Sequence, residues 1–330
     1  MKTVALIWGG AGKEHDVSRM GYPYVMGLLK RCGYRAVSVY IDNDALWSVV
    51  TENGKVPAFP IRLADKRGLL CNKEIIEIDA AIPLLHGDKG EDGEVQGLLE
   101  CAGIRYIGAD VCTSALCLDK EYTKVIARSL GIPTAKSVGF TRPTDAKKAL
   151  ELCLKSLNFP MFIKPRRLGS SVGAAAVGCA EEFIHAFKHA MAVGRGFVTV
   201  EELIEEKREL ECAFYEALGT RVISPPSEIL CEGFYGYGEK YEGKTRTAVK
   251  AEVDESTKQT LQGYCSLLAD ALALRHLARI DFFLTPRGIL FNEINTFPGF
   301  TDDSLYPRML ESVGIPPHEA LASFIEDALC

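Results

Sequence analysis

Residues 277–295 read Leu-Ala-Arg-Ile-Asp-Phe-Phe-Leu-Thr-Pro-Arg-Gly-Ile-Leu-Phe-Asn-Glu-Ile-Asn. Two runs of strand-forming residues flank Thr285-Pro286-Arg287-Gly288, the pattern of a β-hairpin. With Gly288 in the left-handed position of a three-residue loop, Thr285 pairs with Ile289, Asp281 lies opposite Glu293, and Arg279 lies opposite Asn295. These four then share one face, because alternate strand residues do, and Ile280, Phe282, Leu284, Leu290 and Ile294 make the core face. Facing carboxylates repel one another, and a divalent cation would reverse the sign. Two carboxylates and the Asn295 amide oxygen are hard ligands suited to Mg²⁺, which usually also holds substrate phosphates. The competing reading is a solvated sheet face on which Arg279 neutralises Asp281. A slip of one residue would carry Glu293 to the other face.

Working outward, the first hundred residues alternate short β-branched runs with helical patterns. Strands are expected at Thr3 to Trp8, Arg35 to Tyr40 and Ala80 to Leu84, with a helix at Val17 to Lys30; this is the signature of an α/β layer with a largely parallel sheet. After Asp119 the texture changes. Helices at Lys120 to Leu130 and Asp145 to Leu157, the latter with Pro143 near its start as a first-turn proline would be, accompany strands at Pro160 to Ile163, Ala174 to Val177 and Phe197 to Glu201. They describe a small α+β unit. Beyond it come a strand near Leu210 to Phe214, a Gly/Tyr-rich loop from Gly233 to Gly243, and a helix at about Glu255 to Leu274 before the hairpin.

The chain has 330 residues, 47% hydrophobic and 25% charged, with a net charge of −6 and a mean hydropathy of +0.05. Those values describe a folded globular protein and exclude disordered and fibrous classes. The acidic balance argues against a nucleic-acid partner. The longest uncharged run, Leu168 to Ala180, is broken by Gly and Ser and falls short of the ~18 apolar residues of a membrane span. Met1-Lys2-Thr3 enters the first strand directly, with no room for a signal-peptide core. The eleven cysteines contain no C-x-x-C pair; they read as reduced thiols of a cytoplasmic protein.

Two nucleotide signatures are absent: Ile7 and Glu14 rule out a P-loop around Gly12-Lys13, and no G-x-G-x-x-G follows the first strand. Lys164-Pro165-Arg166-Arg167-Leu168-Gly169-Ser170-Ser171-Val172-Gly173 is different. A strand ends in a lysine and enters a cationic Gly/Ser loop, whose backbone N–H groups and hydroxyls suit phosphate; a plain hairpin loop with solvated arginines is the alternative. His86-Gly87-Asp88-Lys89-Gly90-Glu91-Asp92-Gly93 follows a buried strand, where α/β sheets place their sites, although a loop histidine is often structural and Glu91-Asp92-Gly93 also suits a helix start.

Together these pieces resemble the ATP-grasp ligases of the D-alanine-D-alanine ligase type. Gly9-Gly10 with Glu14-His15-Asp16-Val17-Ser18 looks like the family's N-terminal signature. His86 to Gly97 matches H-G-x-x-G-E-D-G-x-x-Q-G, Gly108 to Lys120 matches the segment ending in a nucleotide-contacting lysine, and Lys164 to Gly173 matches K-P-x-x-x-G-S-S-V-G. Arg279-Ile280-Asp281 matches R-I-D, and Asn292 through Asn295-Thr296 to Pro298-Gly299, then Ser304-Leu305, matches the C-terminal signature. The resemblance implies an α/β ATP-grasp fold in three domains: an N-terminal parallel-sheet, substrate-binding domain (1–108), a small central α+β domain (109–200) and a C-terminal α+β catalytic domain (201–330).

It further implies an ADP-forming ligase of peptidoglycan precursor synthesis, in which ATP phosphorylates one D-alanine and the amine of a second displaces the phosphate. Lys120, Lys164, Ser170 and Ser171 would contact the nucleotide, Glu201, Glu202, Leu203 and Ile204 would form the adenine hinge, and Glu209 would bind the ribose. Asp281, Glu293 and Asn295 would hold two Mg²⁺ ions, with Mn²⁺ as a substitute. Arg279 and the Gly299 N–H would face the oxyanion. Glu14, supported by His86, would bind the first ammonium, and Lys240, Ser304 and Leu305 the second carboxylate. Glu14, Ser170 and Tyr241 would close a lid over the site. The partners are D-alanine and ATP, with no nucleic acid or membrane, in a homodimer.

The chain departs from the family at Arg19-Met20-Gly21-Tyr22-Pro23, at Gly243 to Ala251, where the usual Pro-Ala element is missing, and at Asp302-Asp303. These keep D-serine as second substrate, and another carboxylate–amine pair, as alternatives. A non-catalytic nucleotide-binding descendant is the reading from another class, opposed by the intact Lys120, Lys164, Arg279, Asp281, Glu293 and Asn295.

Overall fold

A computed structural model describes residues 1–230 and 246–330. The Gly/Tyr-rich loop, Lys240 and Tyr241 lie outside the described residues. Three sheets organise the rest. The first runs β6 (Glu74–Glu77), β5 (Lys66–Cys71), β4 (Gly54–Leu63), β3 (Trp47–Thr51), β2 (Arg35–Ile41), β1 (Thr3–Gly9), β7 (Ala80–Leu84), β8 (Arg105–Tyr106). The expected parallel layer is present, with β1 parallel to both β2 and β7. Joined to it are antiparallel strands β3 to β6, which the sequence reading did not identify. Their tight turns depend on backbone: Asn72 and Lys73 sit at φ 50° and 67°, the left-handed pair of a two-residue hairpin.

Helix α1 (His15–Arg31) packs on this sheet and passes straight through Pro23. Val25, Leu28 and Leu29 face inward, so burial of an apolar stripe outweighs the hydrogen bond that a mid-helix proline removes. Helix α2 (Glu94–Cys101) and helix α3 (Val111–Leu118) lead to α4 (Lys120–Ser129), capped by Asp119, whose carboxylate accepts from Glu121 N and Tyr122 N.

The second sheet is antiparallel, ordered β11 (Ala175–Val177), β10 (Met161–Pro165), β12 (Val198–Glu202), β9 (Ser137–Phe140), and is covered by α5 (Ala146–Cys153) and α6 (Ala180–Val193). Helix α5 is shorter than expected and Pro143 lies outside it, because Asp145 caps it by accepting from Lys147 N and Lys148 N. This unit has its own core, including Phe140, Met161, Ile163, Phe183, Phe187, Val198 and Val200.

In the third sheet, β16 (Arg246–Ala248), β15 (Ser227–Leu230), β13 (Arg208–Ala217), β17 (His276–Thr285) and β18 (Gly288–Asn295) run in that order, with β14 (Thr220–Ile223) on β13. Helix α7 (Glu255–Ala271) lies behind it, and α8 (Leu305–Ser312) and α9 (Pro317–Leu329) close the chain. Val4, Leu6 and Val25 share one core with Ala213, Tyr215, Leu277 and Phe324, so the first and last parts of the chain are fused. Among the described residues no helix is long and apolar enough to cross a membrane.

Candidate active site

A cavity of about 710 Å³ lies where the three sheets meet. Its floor is the hairpin. Arg279 pairs with Asn295 and Asp281 with Glu293, but Thr285 pairs with Gly288 rather than with Ile289, so the turn holds two residues. On its own that shift would place Glu293 opposite Ile280, on the core face. A register shift between Asp281 and Phe282 inserts Asn292 as an extra residue and returns Glu293 to the cavity. Bulges commonly re-aim a side chain in this way beside active sites. The bulge also corrects one core assignment: Leu290 pairs with Phe283 and packs with Ala135 and Ile204, while Phe291 takes the core place opposite Phe282.

Each floor carboxylate has a cation. Arg279 grips Asp281 with Nε and Nη2, both at 2.8 Å, and its Nε lies 3.2 Å from Glu211 on β13. Burial works against the Arg279 charge, but Asp281 and Glu211 outweigh it and hold the guanidinium protonated. Asn295 Nδ2 donates to Asp281 Oδ2 at 3.1 Å. Lys120, at the start of α4, reaches Glu293 at 3.1 Å and donates to the Leu168 carbonyl at 2.9 Å.

On the central sheet, Lys164 lies 3.1 Å from Glu201 Oε1, and the same oxygen takes Lys124. Burial opposes the Glu201 charge, yet the two lysines hold its carboxyl down to about 2. Glu202, Leu203, Ile204 and Glu209 also line the cavity. The Glu202 carboxylate is occupied at 3.0 Å by Lys136 N and at 3.0 Å by Arg287 Nη1, and Glu209 lies 3.1 Å from Lys207. Both arginines of the Gly/Ser loop bind the Asp119 carboxylate: Arg166 is buried, 3% exposed, whereas the Arg167 side chain keeps 42% of its surface in solvent. That leaves Lys164 and the Ser170-Ser171 turn facing the cavity. Both serines have left-handed backbone, φ 49° and 57°, an uncommon state for side-chain-bearing residues that clusters at ligand sites.

At the other end, Ser170 Oγ donates to Glu14 Oε1 across 156 positions of chain. Two glycines make room for that carboxylate: a Cβ on Gly87 would lie 1.9 Å from Glu14 Oε2, and one on Gly169 2.7 Å from it. His86 Nδ1 is 3.0 Å from the Phe297 carbonyl, and burial pushes its pKa down to about 4, so the ring is neutral at pH 7 and donates from Nδ1. Ser304, just before α8, has Oγ accepting from Thr301 N at 3.0 Å, and Gly299, Ser304 and Leu305 line the cavity beside it.

Three residues that the sequence reading left without a role complete the arrangement. Glu211 shares Arg279, Lys124 shares Glu201, and Glu91 accepts from Gly87 N at 2.9 Å and Phe297 N at 2.8 Å. Burial, with Glu14 adding to it, pushes the Glu91 carboxyl up to about 7. Only Glu91 had a signal in the sequence, as part of its glycine-rich motif; the other two look like ordinary strand and helix charges.

The donor set suits a magnesium nucleotide. Asp281, Glu293 and Asn295 offer hard oxygens on one wall of the cavity, lysines stand beside them for phosphate oxygens, and the volume is that of a small-molecule site. The buried Asn292 Oδ1, on the bulge, has no hydrogen-bond partner among the described residues, and Asn292 lies in the same wall.

Two family models match the chain: "D-ala D-ala ligase N-terminus" over residues 3–109 and "D-ala D-ala ligase C-terminus" over residues 126–326. A curated "D-alanine--D-alanine ligase" of Corynebacterium diphtheriae is 33% identical, covering 99% of this chain and 95% of that protein. The crystal structure of D-alanyl-alanine synthetase A from Vibrio cholerae superposes with a TM-score of 0.87 at 33% identity, over 99% of this chain and 98% of that one. VanG D-Ala:D-Ser ligase from Enterococcus faecalis superposes at 0.88 with 31% identity, over 99% of each. With an ATP-grasp architecture and matches that run almost end to end, the chain belongs to the D-alanine-D-alanine ligase family.

Proposed function

We propose that this protein uses ATP to join two D-alanine molecules into D-alanyl-D-alanine for peptidoglycan precursor synthesis. The observation that carries the reading is the Asp281–Glu293 pair, held on the cavity face with Lys120 on one carboxylate and Arg279 on the other. In this reading Asp281, Glu293 and Asn295 hold magnesium, two ions by resemblance, with Mn²⁺ as a substitute. Bound there, the metal supplies charge neutralisation at the phosphates.

Glu14 takes the ammonium of the first D-alanine, and the neutral His86 fixes the Phe297 peptide behind it. Lys120, Lys164, Ser170 and Ser171 orient the triphosphate, the segment Glu201 to Ile204 receives adenine, and Glu209 the ribose. The carboxylate of the first D-alanine takes the γ-phosphoryl group. The amine of the second D-alanine, held through its carboxylate by Lys240, Ser304 and the Leu305 N–H, then attacks that acyl phosphate. Arg279 and the Gly299 N–H stabilise the tetrahedral oxyanion, where preorganised donors matter most, and phosphate leaves. Ser170 with Glu14, joined by Tyr241, keeps water from the acyl phosphate; the roles of Lys240 and Tyr241 rest on the resemblance alone.

Division at residues 108 and 200, a cytoplasmic homodimer, and D-alanine rather than D-serine in the second subsite belong to the same proposal. Phosphate release measured with ATP and Mg²⁺ across D-alanine, D-serine and D-lactate tests it. D-alanine should turn over fastest, and faster turnover with D-serine would overturn the assignment.

A further inference from the structure

The face of the second sheet opposite its apolar core is unusually polar for buried surface. Val198 and Val200 point into the core, whereas Thr199 and Glu201 alternate with them toward α4 and are 0% and 3% exposed. Thr199 Oγ1 donates to Glu121, and Ser137 Oγ donates to the other oxygen of the same carboxylate at 3.1 Å. One turn along α4 from Lys120, Lys124 is 0% exposed, and its Nζ donates to Glu201 Oε1. Helical spacing therefore puts two lysines on one side of α4. Lys120 reaches the floor carboxylate Glu293, and Lys124 reaches Glu201, which lines the same cavity.

Lys124 lies outside the cavity wall, whereas Glu201 and Lys164 line it. Both lysines bind Oε1, so the carboxylate is pinned through one oxygen. Oε2 receives no hydrogen bond from any described residue. A carboxylate of that kind is an acceptor only. Facing a purine, it welcomes a 6-amino group and opposes a 6-oxo group, whose oxygen is itself an acceptor.

We propose that Lys124 is a positioning residue, which holds Glu201 so that its free oxygen meets the purine 6-position and thereby makes the protein select adenine over 6-oxopurine nucleotides. This deepens the nucleotide reading above and rests on it. Lys164 alone leaves the carboxylate one tether and lets it rotate, since a single lysine is a flexible point contact; the second cation, delivered by a rigid helix, removes that freedom.

The test is calorimetric binding of ATP and of inosine triphosphate, each with Mg²⁺, to the full chain. The wild-type protein should prefer ATP by at least tenfold. Lys124→Met should cut the ratio of the two Kd values by about tenfold, and in turnover assays it should raise KM for ATP with kcat within about threefold. Lys124→Arg, which keeps the cation, should retain most of the preference. Lys124→Gln supplies the same comparison without the charge if the methionine variant does not fold. A folded, uncharged variant that keeps the full ATP preference overturns the role of Lys124 while leaving the ligase reading intact. Absence of ATP binding by the wild-type protein overturns both.

Discussion

Asp281 and Glu293 would repel each other across their strands, and at the residue scale the structure answers that with Arg279 on one and Lys120 on the other. Neutralising either carboxylate removes an anionic charge from the metal site while nearly keeping the side chain's shape. Asp281→Asn or Glu293→Gln should therefore lower ATP-dependent phosphate release at least about a hundredfold, with an unchanged far-UV circular dichroism spectrum; near-normal turnover would remove both residues from the metal site. Ser170→Ala deletes a hydrogen bond to a carboxylate, a contact worth about 1.5–3 kcal/mol. Its kcat/KM should fall about tenfold to a hundredfold, as initial-rate kinetics would show. Glu14, His86, Lys164 and Glu293 were legible as chemistry-bearing residues from motif and spacing. Glu211 and Lys124 were not, because what they touch is decided by which strand and helix pack beside them.

The hairpin shows at the scale of an element how a reading succeeds through two errors that cancel. A three-residue loop and a regular ladder place Asp281 opposite Glu293; so do a two-residue turn and a bulge at Asn292. Alternation of side chains survives in either case, but Leu290 and Phe291 exchange faces, and no local pattern announces the bulge. Helix α1 offers a cleaner test. Pro23 lies within it and removes the N–H that would bond to the Arg19 carbonyl. Met20, one residue beyond that carbonyl, lines the cavity. Pro23→Ala should raise Tm by a few degrees in a thermal melt, and it should alter KM for the first D-alanine more than KM for ATP.

For the whole molecule, buried titrating groups set the pH dependence of stability. Burial lowers His86 and His276 from 6.5 to about 4. Between those values the unfolded chain binds more protons, so stability falls as pH drops. Glu91 does the reverse: raised from 4.5 to about 7, it adds stability as pH drops through that window. Glu201, lowered from 4.5 to about 2, loses its contribution only below pH 4.5. Tm should thus decline gently from pH 6.5 to 4.5 and steeply below, and Glu91→Gln should steepen the upper arm; a flat wild-type profile down to pH 4 would contradict these burials. The second sheet has a core of its own, whereas the other two share one, so ATP with Mg²⁺ should increase hydrogen-exchange protection more in residues 137–202 than in α1 or α9.

The sequence by itself determined the parallel layer around β1, the hairpin and its charged face, and the family, because hydrophobic period, turn residues and motif order are local properties of the chain. Only the tertiary structure decided the bulge that aims Glu293, the glycine clearances that admit Glu14, and the pinning of Glu201 between two lysines. Each of these depends on atoms from segments distant in sequence meeting at hydrogen-bond or van der Waals range, a condition that no single stretch of chain encodes.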